Sequence, residues 1–271
     1  MKARWLTAAG VLFVCAGCSA DRAGSLLGTR PAPFVPDSLA ANVAVLAFEN
    51  NTGDPRYDPL GRGLAHMMTS DLAAVPSLNL VERDQLQALV DELGLQQTAH
   101  FDQETALQVG LFVGADHVVM GSISAMEPEM RLDTRVVDVE TAEVVQAASV
   151  SGDEDALFDL QQRLASSLIE GIDVVMTDEA QALLIAQQEA NRIDRVSTAL
   201  TFSEALSLYD QGEFTTAAQR LYEVQQQAPA SQLVSVAFQM ARQAGQRELG
   251  RSIRGRIDSY LRSRRDSTEA Q

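Results

Sequence analysis

Lysine is all but missing from this chain of 271 residues: the one copy is Lys2. Every later cation is therefore an arginine or, when protonated, one of three histidines. Cysteine is nearly as scarce, with Cys15 and Cys18 the two copies. Beyond position 18 the chain can build neither an internal disulfide nor a cysteine-ligated metal site. Aromatic residues make up 5%, and no alternating apolar segment with aromatic ends occurs, which is what a membrane strand would need. After the N-terminal region no run is long and apolar enough for a membrane helix, which takes ~20 residues.

Positive charge is scarce as well. The formal net charge is −16, and the excess of acid is concentrated between residues 38 and 195. Such a surface repels a phosphate backbone, so no nucleic-acid partner is expected. Its plain consequence is solubility.

What the chain does have is a marked N-terminus. Lys2 and Arg4 precede an apolar run from Leu6 to Ala16, too short to span a bilayer. It ends in Cys15-Ala16-Gly17-Cys18, small residues leading into a cysteine. This reads as a lipoprotein signal over residues 1–17, with Cys18 as the lipidated residue. Cleavage after Ala20 is the competing reading, because Cys18-Ser19-Ala20 also fits a small-x-small site. Ser19 in place of an aspartate favours the outer membrane, by resemblance to known lipoproteins. Residues 18–40 follow as a linker rich in Gly, Pro, Ser and Ala.

The 46% hydrophobic content then supplies a core. Asn42–Phe48 is expected as a buried strand. A turn-rich loop from Glu49 to Pro55 leads to Asp58, an expected N-cap with Pro59 at the first helical position. Leu60, Leu64, Met67, Met68 and Leu72 form one apolar stripe of a helix. Leu78–Glu82 is a short strand, and Gln85–Leu93 is a helix closed by Gly94. Asp102 caps a further helix. Asp116–Ser124 is apolar on both faces and so a central strand. Met130 to Val136 alternates with charge, and a turn at Glu140–Glu143 returns it into Val144–Val150. Leu157, Leu160, Leu164 and Leu168 mark the next helix. The expectation is an α+β fold: a three-layer-like domain with a mixed sheet over 41–175, then an all-helical region over 176–271.

Within that helical region, residues 198–231 resemble one tetratricopeptide hairpin, with Ala205, Leu208, Gly212, Phe214, Ala217, Leu221 and Pro229 near that spacing. The repeat does not recur on either side, and a plain helical hairpin accounts for the same residues. Leu208 and Phe214 are its candidate interaction residues. Downstream lies a basic stretch in which Arg251 and Arg254 share a face with Arg247. Anionic lipid headgroups, cell-wall polymers and the chain's own acidic domain are candidate partners for it, and a merely solvated face explains it too.

No catalytic constellation emerges. His66, His100 and His117 lack second ligands at metal spacing, so no metal is expected. There is no nucleophile elbow and no phosphate-cradling glycine loop, so neither an enzyme nor a cofactor is expected.

The order of segments is nevertheless distinctive. Val43-Ala44-Val45-Leu46-Ala47-Phe48-Glu49-Asn50, Asp58-Pro59-Leu60-Gly61, Leu80-Val81-Glu82-Arg83, Gly114-Ala115-Asp116-His117-Val118-Val119-Met120-Gly121-Ser122-Ile123 and Arg135-Val136-Val137-Asp138-Val139-Glu140-Thr141-Ala142-Glu143-Val144 follow one another. Together they resemble the CsgG/HfaB family of curli-type secretion lipoproteins and the related TolB N-terminal and FlgO-like domains, over about 41–172. The resemblance implies an envelope location, other envelope proteins as partners, homo-oligomers and, for secretion members, a ring-shaped outer-membrane channel. A channel subunit must supply strands of ~9–11 residues to the membrane. The connections between Ser124 and Val136 and between Val145 and Leu157 are too short to hold two such strands and a turn. The expected role is therefore a periplasmic accessory in assembly or secretion, with the channel subunit as the alternative. If Cys18 is the anchor, Cys18→Ser abolishes palmitate labelling of the chain in cells and shifts it from the membrane to the soluble fraction.

Overall fold

The computed structural model describes residues 40–92, 102–126, 129–172 and 176–269, with the side chains of 91, 126, 171 and 255–269 not placed. The signal, the linker, His100 and the helix-closing Leu93-Gly94 pair lie outside these residues. The described chain runs β1 (Ala41–Val45), β2 (Glu49–Asn50), α1 (Leu60–Leu72), β3 (Leu78–Leu80), α2 (Arg83–Glu92), α3 (Gln103–Val113), β4 (His117–Met126), β5 (Glu129–Asp138), β6 (Val144–Asp153), α4 (Leu157–Gly171), α5 (Asp178–Ala190), α6 (Val196–Asp210), α7 (Phe214–Gln227) and α8 (Gln232–Glu269). This is an α+β fold with a mixed sheet followed by helices.

The sheet order is β3-β1-β4-β5-β6, with β2 paired to β4. β1 pairs in parallel with β3 and β4, and β4-β5-β6 form an antiparallel meander. Alternation along each strand divides the core in two. Val43, Val45, Val119, Ile123, Met130, Leu132 and Val136 point to the face covered by α1 and α4. Ala44, Leu46, Val118, Met120, Val137 and Val139 point to the face covered by α2 and α3. The predicted stripe of α1 is fully formed, with Leu60, Leu64, Met67, Met68 and Leu72 all buried. The four leucines of α4 are each 0% exposed.

One local expectation needs correcting. Asp58 does not cap α1: Pro59 occupies the cap position and no side chain caps the helix. The Asp58 carboxylate instead accepts a hydrogen bond from the Asn50 amide at 2.6 Å. Asp54, four residues earlier, does the capping, accepting from the Arg56 amide to start a single 3-10 turn over Pro55–Tyr57. The Asn50 amide also donates to the Asp54 carbonyl, and its oxygen accepts from Thr52. The loop is thus tied by its own short polar side chains. Asp102, by contrast, caps α3 as expected, accepting from the Thr105 amide at 2.8 Å. The β5–β6 turn is likewise side-chain built. Asp138 accepts from both the amide and the hydroxyl of Thr141, which holds its carboxyl below the usual range. Ala142 there adopts φ 60°, a left-handed conformation uncommon outside glycine.

The helical layer continues the same core. Leu184, Ile193, Phe202, Ala205, Leu206, Leu221 and Val234 join one buried cluster with α1, α4 and the sheet. Glycines set the approach of α6 to α1. A Cβ on Gly63 would lie 1.8 Å from the Ser203 hydroxyl oxygen, so the two helices meet where α1 has no side chain. On the other flank, Phe48 fills the space over Gly121, where a Cβ would come within 2.4 Å of its ring. Gly63→Val is expected to force α6 away from α1 and to cost about 1–3 kcal/mol from overpacking. Urea denaturation should show this as a lower midpoint with an unchanged slope.

Candidate interaction surfaces

Three features outside the main core bring chemically distinctive side chains together. The first is a polar knot beneath α1. Asp71 is 1% exposed. Its two oxygens accept from the Gln161 amide of α4 and from the Asn191 amide after α5, each at 2.7 Å. Asn191 also donates to Ser70, and its carbonyl accepts from Ser231 at the start of α8. No cation is among these partners. Burial therefore dominates and pushes the Asp71 carboxyl up to about 6, against the lowering effect of the two amides.

The second is a crevice past the carboxyl end of β1, with a volume of about 70 Å³. Arg62 and His66 enter it from α1, Arg83 from α2 and Asp210 from the end of α6. The Asp210 side chain is 2% exposed and pairs with Arg83 and, at 3.4 Å, with Arg62. Arg83 also donates to the Leu206 carbonyl at 3.2 Å and lies over the Tyr209 ring. Burial outweighs the arginines at Asp210 and raises its carboxyl above the ordinary value. His66 stacks at 5.9 Å from Phe202, and its Nδ1 has no hydrogen-bond partner. Burial, helped by Arg83, drives its pKa down to about 4, so the ring is neutral at physiological pH. The crevice works as a clamp that ties α2 and α6 to α1. Removing one member of such a buried pair leaves the others uncompensated.

The third is a groove of about 690 Å³ between α7 and α8. Phe214, Tyr222, Phe238 and Leu249 line it, with Glu223 and Arg242 at its edge. Tyr222 is 55% and Leu249 58% exposed, although both are large and apolar. Phe214 stands edge-on to Tyr209 with centroids 5.2 Å apart, and Arg242 lies over Phe238. Among the described residues no group of three His, Cys, Asp or Glu could hold a metal.

The candidates read from the sequence fall in different places. Phe214 is half-buried and lines the groove, while Leu208 is half-buried in the packing of the helical core. Gly212 makes the α6–α7 turn at φ 80°. Arg251 and Arg254 are exposed on α8, beyond the groove. His117 approaches Asp138 at 3.9 Å on the sheet. Sequence reasoning missed Tyr222, Phe238 and Leu249. The available signal was the large apolar residues that fall outside the stripe burying Ala217, Leu221 and Val224. It also missed the Arg62–Arg83–Asp210 clamp, whose members are far apart in sequence and carry no mutual spacing.

The knot yields a sign-defined pH effect. A carboxyl whose native pKa is raised contributes stability that is complete below the unfolded value and is lost as pH rises through about 6. The stability gap between the native chain and Asp71→Ala is therefore expected to be largest near pH 4 and to shrink by on the order of 2–3 kcal/mol by pH 8. Chemical denaturation at each pH measures it.

Comparison with known proteins finds one family match and several solved structures. Residues 35–131 match the family described as "Curli production assembly/transport component CsgG". No curated protein matches the chain. Among solved structures, the LpoB C-terminal domain from Salmonella enterica is 21% identical with a TM-score of 0.37, covering 43% of this chain and 87% of that one. Lipoprotein GNA1162 from Neisseria meningitidis is 14% identical with a TM-score of 0.38, covering 49% and 97%. The PelC dodecamer from Paraburkholderia phytofirmans is 15% identical with a TM-score of 0.34, covering 51% and 90%. Over residues 35–131, which run into the start of β5, this chain is thus similar to the CsgG family.

Proposed function

We propose that this chain is a non-catalytic envelope lipoprotein, held at the periplasmic face of the outer membrane through Cys18. There it serves as an accessory in assembly or secretion by binding other envelope proteins. The CsgG-type segment supports the envelope setting. The observation that carries the mode of action is the α7–α8 groove. It exposes Tyr222 and Leu249 and half-exposes Phe214 and Phe238 along one cleft. Aromatic anchors in a concave surface with a charged rim are the usual makings of a protein-docking site. Arg251 and Arg254 extend the same helix with positive charge, which would steer an acidic partner toward the cleft.

The sheet supports this reading over the channel alternative. β5 and β6 are joined through residues 139–143, and β4 and β5 through residues 127–128. The three strands lie in the core sheet, where α4 covers one face. Neither connection has room for a further pair of membrane strands.

A photo-crosslinking residue in place of Tyr222, in cells, is expected to trap one discrete protein adduct. Leu249→Ser in the same background should reduce that adduct at least fivefold while leaving the thermal midpoint within about 2 °C, since an exposed residue contributes little to stability. An adduct absent at Tyr222 and present when the crosslinker stands on α2 would move the docking surface elsewhere.

A further inference from the structure

The two margins of the sheet are treated differently. β3 is three residues long and offers little for another strand to pair with. β6 is ten residues long. β5 pairs with it on one side, and among the described residues no strand pairs with it on the other. Long open margins are normally guarded by charge, proline or a bulge, because their free N–H and C=O groups recruit further strands. From Val144 to Gly152 this margin holds no charged residue and no proline, in a chain that is 21% charged. The one register shift, between Val136 and Val137 of β5, falls opposite the start of β6. One guard exists, at the far end, where the Arg163 guanidinium donates to the Ser151 carbonyl at 3.0 Å. The stretch between is left open.

The side chains suit close approach. Gln146, Ala148, Val150 and Gly152 turn toward α4: Gln146 donates to the Ser167 carbonyl, Val150 and Ala148 pack on the core, and Leu160 lies over Gly152. Ala147, Ser149 and Ser151 are exposed on the opposite face, and all are small.

We propose that β6 is a self-pairing seam, at which a second copy of this chain adds its own β6 in antiparallel register about a two-fold axis near Ala148. The central sheet then runs on unbroken from one copy into the other. A second copy is the occupant the residues favour. From Val144 to Gly152 self-pairing sets only uncharged residues opposite one another, and the acidic Glu143 and Asp153 meet only beyond the two ends of that ladder, in a chain whose net charge of −16 disfavours self-association through acidic faces. A two-fold pairing also closes, using up both open margins at once. The chain's own linker is a poor substitute, because Pro31, Pro33 and Pro36 cannot donate to a ladder. The inference stands apart from the groove, which lies between other elements.

Sedimentation of the full chain in detergent tests it. The native chain is expected to run as a dimer. Ala147→Lys and Ser149→Lys, each placing a charge on an exposed strand position, should weaken the association at least tenfold with the thermal midpoint unchanged. In Ser149→Cys, a short thiol-to-thiol crosslinker should give a covalent dimer that the native chain, with cysteine at 15 and 18 alone, does not give. A monomeric native chain, or an assembly of any size that both lysine variants leave intact, overturns the proposal. So does a β6 crosslink to a different protein in cells.

Discussion

Helix α1 is buried on two sides, against the sheet and against α6, and its thirteen residues have to satisfy both. One side is met by the leucine and methionine stripe that packs on Val43 and Val45. The other is met by leaving side chains out: Gly63 admits Ser203, and the small Ala65 lines the crevice. Two charged groups of α1 are then largely withdrawn from water. Asp71 finds Gln161 and Asn191, while Arg62 finds Asp210, so the helix is tied to α4, to the α5–α6 connection and to the end of α6. Buried polar groups of this kind are costly when half satisfied and specify one arrangement when fully satisfied. The seating of the helical layer on the sheet follows from how α1 is built.

The scarcity of lysine shapes these contacts. Arginine offers a planar fork of donors that can also lie over an aromatic ring. Arg83 reaches both a carboxylate and a backbone carbonyl while its plane lies over Tyr209, and Arg163 reaches a strand carbonyl from a helix. A lysine ammonium could not lie flat on the Tyr209 ring as the Arg83 guanidinium does. Among the few cations of the α/β layer, Arg62, Arg83 and Arg163 are engaged in internal ties, whereas Arg247, Arg251 and Arg254 of α8 stand exposed.

Much of the sheet layer could be read from periodicity. The alternation of Met130, Leu132, Thr134 and Val136 with Arg131, Asp133 and Arg135 gave the half-wet face of β5 correctly, because a side-chain period of two leaves little freedom. The α1 and α4 stripes were equally legible. The Asp58 cap was misread because a favourable Asp-Pro pair says nothing about competition from Asn50, eight residues earlier. The clamp and the groove were invisible for a related reason. Arg62, Arg83 and Asp210 come from three helices, and the exposure of Tyr222 depends on where α8 crosses α7. Such features belong to tertiary arrangement, which a spacing rule over a dozen residues does not reach. The interaction residues proposed from sequence fared accordingly: Phe214 lies in the groove, and Leu208 is half-buried in the packing beside it.

The length of α8 has a mechanical consequence. At 38 residues it would extend about 57 Å. From Gln246 to Leu249 and from Arg251 to Arg254 its side chains are exposed, so over that span its helicity draws little support from neighbours. A helix in that condition holds its shape by propagation from the packed root at Leu233 and Val234. Stiffness at the far end is then thermodynamically linked to events at the near end. A molecule seated between Tyr222 and Leu249 would add support along the near half of a rod whose tip lies tens of ångströms away.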